Sequence, residues 1–69
     1  MYEIVINGHS FSVDQDFISG TEIKNIGMIS ENHMINFHVK GLKDPIQIND
    51  NDMIDLTRPG AEYFTSINF

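Results

Sequence analysis

Asn7-Gly8 stands between two runs in which apolar and polar residues alternate. Tyr2, Ile4 and Ile6 share one face before it, and Phe11 and Val13 resume the pattern after it. Asn and Gly both tolerate positive φ, which the two-residue turns that match strand twist require. Residues 1–17 therefore read as a β-hairpin, with strands near 1–7 and 11–16. Sixty-nine residues leave room for one domain, and a chain of that length buries a modest share of its surface. There is no Cys, so neither a disulfide framework nor a thiolate zinc site can supplement the core. Eleven Ile and five Phe must supply it, and β-branched and aromatic side chains suit a pleated, half-buried surface.

After the hairpin the pattern changes. Ser19 and Glu22 form an S-x-x-E capping box, in which the Ser hydroxyl accepts from the Glu22 N–H and the Glu carboxylate accepts from the Ser19 N–H. Ile18 stands where a hydrophobic staple would sit. Ile23 and Ile26 share a face at i, i+3 spacing, and Gly27 suits a left-handed C′ position. One helix near 20–27 is predicted, about two turns long, so it depends on tertiary packing. Ile35, Phe37 and Val39 then alternate with Asn36, His38 and Lys40, a strand near 35–40 that Gly41 ends. Pro45 opens a strand to Ile48, with Ile46 and Ile48 inward; lacking an N–H, Pro suits an edge or a strand start. A polar turn at 49–52 leads to a last strand near 53–57, with Ile54 and Leu56 inward.

The order β-β-α-β-β-β predicts an α+β fold in which one helix covers one face of a mixed sheet, the β-grasp pattern. Ile4, Ile6, Val13, Ile23, Ile26, Phe37, Ile54 and Leu56 are the expected core. A domain over 1–58 and a C-terminal tail over 59–69 are expected.

Ten acidic residues against four basic give a formal charge of −6. This argues against nucleic acid and against an anionic membrane surface, both of which draw on clustered Lys and Arg. It is compatible with a basic protein partner and equally with plain solubility. No apolar run approaches a membrane span, and "YEIVING" has neither the basic start nor the apolar centre of a signal peptide. A cytoplasmic location is the expectation. Neither an internal repeat nor a low-complexity segment is evident.

Candidate chemistry is sparse. His9, His33 and His38 are the only imidazoles, and their spacing does not converge on a metal. Asp50, Asp52 and Asp55 suggest a calcium loop, but its sixth and twelfth places hold Asp55 and Ala61 instead of Gly and Glu. No nucleophile-base order, paired-carboxylate motif or phosphate loop stands out. The chain reads as non-catalytic, without metal or cofactor.

"TRPGAEYFTSINF", from Thr57 to Phe69, is unusual for a terminus. Pro59 fixes φ and Gly60 frees it, a joint that turns the chain away from the sheet. Beyond it, Tyr63, Phe64, Ile67 and Phe69 cost free energy if left in water. Either the tail folds back onto its own core or another protein holds it. Tyr63 and Phe64 lie close enough to the joint to fold back; Ser66 to Phe69 reach further and are expected in a partner.

Three segments together resemble the bacterial multiubiquitin-type domain: Ile18-Ser19-Gly20-Thr21-Glu22-Ile23, Asn51-Asp52-Met53-Ile54-Asp55-Leu56 and Pro59-Gly60-Ala61-Glu62-Tyr63-Phe64. The resemblance covers about residues 3 to 65. It implies a ubiquitin-like fold, with first and last strands parallel at the sheet centre, and a role as protein modifier. Such domains are encoded beside proteins that look like activating (E1-like) and conjugating (E2-like) enzymes and JAB-type peptidases. The implied chemistry adenylates the C-terminal carboxylate, here on Phe69, at the expense of ATP used by the activating enzyme. The carboxylate is then passed to an enzyme nucleophile and joined to a target protein. Pro59, Gly60, Tyr63, Phe64, Ile67 and Phe69 become the partner-binding tail.

The chain departs from ubiquitin in two respects. Ubiquitin-type modifiers end in Gly-Gly, which threads a narrow channel; this chain ends Ser66-Ile67-Asn68-Phe69. A wider channel, trimming before use, or a module that is never conjugated and docks its aromatic tail on a neighbouring subunit or copy all remain open. A sulfur carrier shares the fold but also needs the Gly-Gly end. The outward residues of the late strands read as Asn36, His38, Lys40, Met53, Asp55 and Thr57, of which only Met53 is large and apolar. Readers of ubiquitin's apolar patch are therefore not expected to bind.

Overall fold

The hairpin forms as the alternation predicts: β1 (Tyr2–Ile6) runs antiparallel to β2 (His9–Val13), with Ile4 opposite Phe11 and Ile6 opposite His9. Asn7 at φ 50° and Gly8 at φ 85° make the left-handed pair that closes it. The structure is a computed structural model in which residues 1–58 and 63–68 are described.

Two further strands were not anticipated. β3 (Phe17–Ser19) follows the hairpin and leads directly into α1 (Gly20–Ile26), the one helix among the described residues. β4 (His33–His38) begins two residues earlier than its alternation suggested. β5 (Ile46–Ile48) starts after Pro45 and lies at a sheet edge, where a missing N–H does no harm. β6 (Met53–Asp55) pairs with β3, and β7 (Tyr63–Asn68) ends the described chain. The main sheet has the order β2-β1-β7-β4-β5, and β3-β6 form a small second sheet. An α+β fold with a mixed sheet and one helix results, the β-grasp arrangement.

The last strand is therefore β7, not residues 53–57. It lies between β1, to which it is parallel (Val5 beside Tyr63, Ile6 beside Phe64), and β4, to which it is antiparallel from His33-Asn68 to His38-Tyr63. The expected tail over 59–69 is thus corrected for residues 63–68, which complete the sheet of the domain expected to end at 58. Pro59 to Glu62 and Phe69 fall outside the described residues. The physical reason lies in which segment can fill a sheet centre. β6 is three residues long with Met53 56% exposed, whereas β7 spans six residues and places Phe64 in the core at 1% exposure. Phe64 also stacks on Phe37 of β4, ring centroids 5.1 Å apart. Phe64 does fold back, as its nearness to the joint allowed; Ser66 and Ile67 do so as well, against expectation.

Ile4, Ile6, Val13, Ile18, Ile23, Ile35, Ile48, Leu56 and Phe64 form the buried core. Of the eight expected residues, Ile26, Phe37 and Ile54 are only partly buried and pack against it. Ile18 is fully buried opposite Ile54, a core residue of β3 and more than a staple.

The helix is seven residues long and stays formed because its first turn is docked. The capping box is present in both directions: Glu22 N–H donates to Ser19 Oγ at 3.1 Å, and Ser19 N–H donates to Glu22 Oε1 at 3.2 Å. Gly20 N–H donates to Asp52 O and Thr21 N–H to Asp50 O, so the 49–52 turn accepts from two more helix-start donors. That approach leaves no room at Gly20, where a Cβ would run into the Asn49 carbonyl oxygen. Lys24 fastens the other end: its buried Nζ donates to Asp50 Oδ1 at 2.9 Å and to Glu31 O at 3.2 Å. Gly27 has φ −82°, so it is not the expected left-handed C′ residue; the exposed Met28, φ 55°, takes that conformation. Gly27 is small for another reason, since a Cβ there would lie 2.8 Å from Ile6 Cγ2.

Three outcomes are expected. Phe64→Ala should cost ~3–5 kcal/mol, the usual range for an aromatic removed from a core, and leave little of a small domain's margin; urea unfolding of the variant measures it. Ending the chain at Ser66 removes the Ile67-Met34 and Asn68-His33 pairs. Each cross-strand pair contributes roughly 0.2–1 kcal/mol, so the two together contribute about 1 kcal/mol and the melting temperature should fall by ~4–8 °C; an unchanged melt would mean that β7 ends earlier. Glu22 is held below its ordinary value of 4.5, first by the Gln15 side-chain hydrogen bond and then by the Ser19 N–H. A depressed carboxyl stabilises the fold above its unfolded pKa and loses that contribution as pH falls through its folded pKa. Glu22→Gln, which keeps a capping-box acceptor, should therefore flatten the loss of stability below about pH 4.5, seen as a smaller drop in urea midpoint on acidification.

Candidate partner-binding face and C-terminal strand

β7 alternates across the sheet, and that alternation sorts the tail residues singled out from sequence. Phe64 and Ser66 take the helix-covered face; Tyr63, Thr65 and Ile67 take the opposite, outer face. The register brings neighbours to them. Val5 of β1 and His38 of β4 flank Tyr63, Asn36 stands opposite Thr65 with Gln47 of β5 beyond it, and Met34 stands opposite Ile67. Tyr63 is 54% and Ile67 44% exposed, while Val5 and Met34 are half-buried. The outer face thus carries two apolar pairs, Val5-Tyr63 and Met34-Ile67, on either side of a polar row of Thr65, Asn36 and Gln47.

That middle is tightly held. His38 Nε2 and Thr65 Oγ1 are 2.7 Å apart. Asn36 is 6% exposed although it faces away from the helix, and its Oδ1 has no hydrogen-bond partner among the described residues. A buried unpaired acceptor of this kind costs ~1–3 kcal/mol.

The path of β7 is set by the hairpin turn. Asn7 N–H donates to Phe64 O at 3.0 Å. The Asn7 side chain then donates from Nδ2 to Ser66 Oγ and accepts from the Ser66 N–H at Oδ1, both at 2.9 Å. One residue both turns the hairpin and clamps β7 beside β1.

The outward set expected from sequence is corrected by this register. Asn36 and His38 do lie on the outer face, but Lys40 follows the end of β4, Met53 and Asp55 belong to the small sheet, and Thr57 lies beyond β6. Val5, Met34, Tyr63 and Ile67 take their place. Once β7 is recognised as a strand, the signal for them is parity: residues 63, 65 and 67 must face away from whatever buries Phe64. Of the tail residues, the structure gathers Tyr63 and Ile67 on one surface and puts Phe64 in the core. Pro59, Gly60 and Phe69 lie outside the described residues. His9 and His33 occupy β2 and β4, and the described residues bring no three His, Asp or Glu side chains together as a metal site. Among the described residues no helix is long and apolar enough to cross a membrane.

A family model described as Multiubiquitin matches residues 2–67. Comparison with curated proteins finds no match, and comparison with solved structures finds none either. The family match takes in the capping box, the acidic 51–56 segment and all of β7 but its last residue, the same parts that build the sheet order found here. With a mixed sheet centred on a parallel β1-β7 pair and crossed by one helix, the chain belongs to the multiubiquitin family of ubiquitin-like domains.

Proposed function

We propose that this domain is a protein modifier of the cytoplasm. A cognate E1-like enzyme uses ATP to activate its C-terminal carboxylate, on Phe69 in this sequence. An E2-like enzyme then transfers it to a target protein, and a JAB-type peptidase trims or releases it. The domain supplies no catalytic group; it supplies a rigid body, a docking face and an end to be threaded. Family membership carries this reading, together with the position of β7 in the middle of the sheet, where Asn7 holds it at Ser66.

The geometry adds a requirement. β7 is paired with β4 as far as Asn68. For the Phe69 carboxylate to enter an active site, the Asn68-His33 and Ile67-Met34 pairs must open first. Opening two pairs at a strand end is a small cost beside the binding energy of an enzyme interface. The receiving channel must also be wide enough for Ile67 and an aromatic ring where ubiquitin passes glycines. The outer face, with the exposed Tyr63 and Ile67, is the surface on which the enzymes dock under this reading.

A second reading is a non-conjugated interaction module. It is favoured by the same pairing, which places Tyr63 and Ile67 on an exposed sheet face and leaves them no free tail to ride on. One experiment separates the two. Incubation with the cognate activating enzyme and ATP should give an adduct at the C-terminus, read by intact mass. Deleting Phe69 alone, which leaves both end pairs in place, should abolish the adduct while the melting temperature hardly moves. An adduct that survives the deletion shifts the conjugated end elsewhere, and no adduct with active enzyme favours the interaction module.

A further inference from the structure

The small sheet of β3 and β6 has its own exposed face. Ile18 and Ile54 pair toward the core, so Phe17, Ser19, Met53 and Asp55 share the opposite side. Phe17 stands opposite Asp55 and Ser19 opposite Met53, which sets Phe17 and Met53 on one diagonal within reach of each other. Both are about half exposed, Phe17 at 52% and Met53 at 56%. Ser19 is engaged as the helix cap and adds no free polar group.

The rim of this apolar pair is acidic. Asp16 directly precedes Phe17, Asp52 directly precedes Met53, and Asp55 lies on the face itself; the first two are exposed, and Asp50, two residues before Asp52, turns its carboxylate to Lys24. Local bonds orient these carboxylates without neutralising them: Tyr2 Oη donates to Asp16, the Asn49 N–H to Asp52 and the Thr57 N–H to Asp55. Two cations stand nearby, Lys24 at 2.9 Å from Asp50 and Arg58 at 3.8 Å from Asp55. With Asp50 and Lys24 paired to each other, Asp16, Asp52 and Asp55 against Arg58 leave the rim negative.

We propose that this face docks a basic, amphipathic segment of a partner protein. Apolar side chains of the segment cover Phe17 and Met53, while its Lys or Arg side chains meet the aspartates. Charge selects this occupant: nucleic acid and anionic lipid carry the wrong sign, and a second copy of the same face would set aspartates against aspartates. The site is separate from the outer face of the main sheet and does not depend on conjugation.

The test titrates the isotope-labelled domain with a synthetic peptide alternating Leu and Lys, and with the same peptide carrying Glu for Lys, at low and high salt. Amide shifts from the Lys peptide should centre on Phe17–Ser19 and Met53–Asp55, and the Glu peptide should give none. Phe17→Ser and Met53→Ser should each weaken binding by about tenfold, as loss of an interface anchor does. Asp16→Asn with Asp52→Asn should weaken it more at low salt than at high. Melting curves verify folding, and Met53→Ser stands alone if Phe17→Ser does not fold. Absence of binding would overturn the proposal. So would shifts centred on Tyr63 and Ile67, or shifts spread over the acidic surface and indifferent to Phe17→Ser and Met53→Ser.

Discussion

Insertion of β7 between β1 and β4 is the interaction on which the rest depends. Without it the hairpin and the β4-β5 pair are two separate ribbons, each too small to be stable alone. With it they become one five-stranded sheet, and Phe64 enters the space under the helix beside Phe37. The insertion joins the two ends of the chain: Asn7 and Ser66, hydrogen-bonded through their side chains, are 59 residues apart in sequence. Loop closure over that separation is costly in entropy, so the central pairing is the non-local contact whose cost the rest of the sheet must offset.

The helix is the second dependency. Seven residues cannot hold a helix in water, and burial of Ile23 does not satisfy the open N–H groups at its start. Ser19, Asp50 and Asp52 do so together, which ties helix formation to the 49–52 turn and hence to β6. The small β3-β6 sheet is the bracket that makes this possible, since it holds the cap residue and the turn side by side. The same bracket turns Phe17 and Met53 outward among aspartates, so a structural device also creates surface of a definite chemical character.

The two exposed faces differ in kind. The outer face of the main sheet sets two apolar pairs, Val5-Tyr63 and Met34-Ile67, on either side of a polar row through Thr65 and Asn36. The β3-β6 face is set apart by charge instead, through its aspartates.

Local chemistry was legible in the sequence wherever short-range physics decides. Asn7-Gly8 between alternating runs specified the hairpin, Ser19 and Glu22 the helix start, and Pro45 an edge strand, because turn φ angles, capping bonds and a missing N–H act within a few residues. The family segments were also readable, and with them the fold class. The central strand was not. On its core face β7 offers Phe64 and then Ser66, so its apolar alternation is weak, and the Pro-Gly ahead of it looked like the end of a domain. Only the tertiary structure assigns it a place, because a strand flanked on both sides needs little from its own pattern when its neighbours supply the pairing and Phe37 and Ile6 supply the packing. Gly27 makes the same point at one residue. Sequence suggested a positive φ, whereas what excludes a side chain there is the close approach of Ile6, a contact that exists only after the sheet and helix have met.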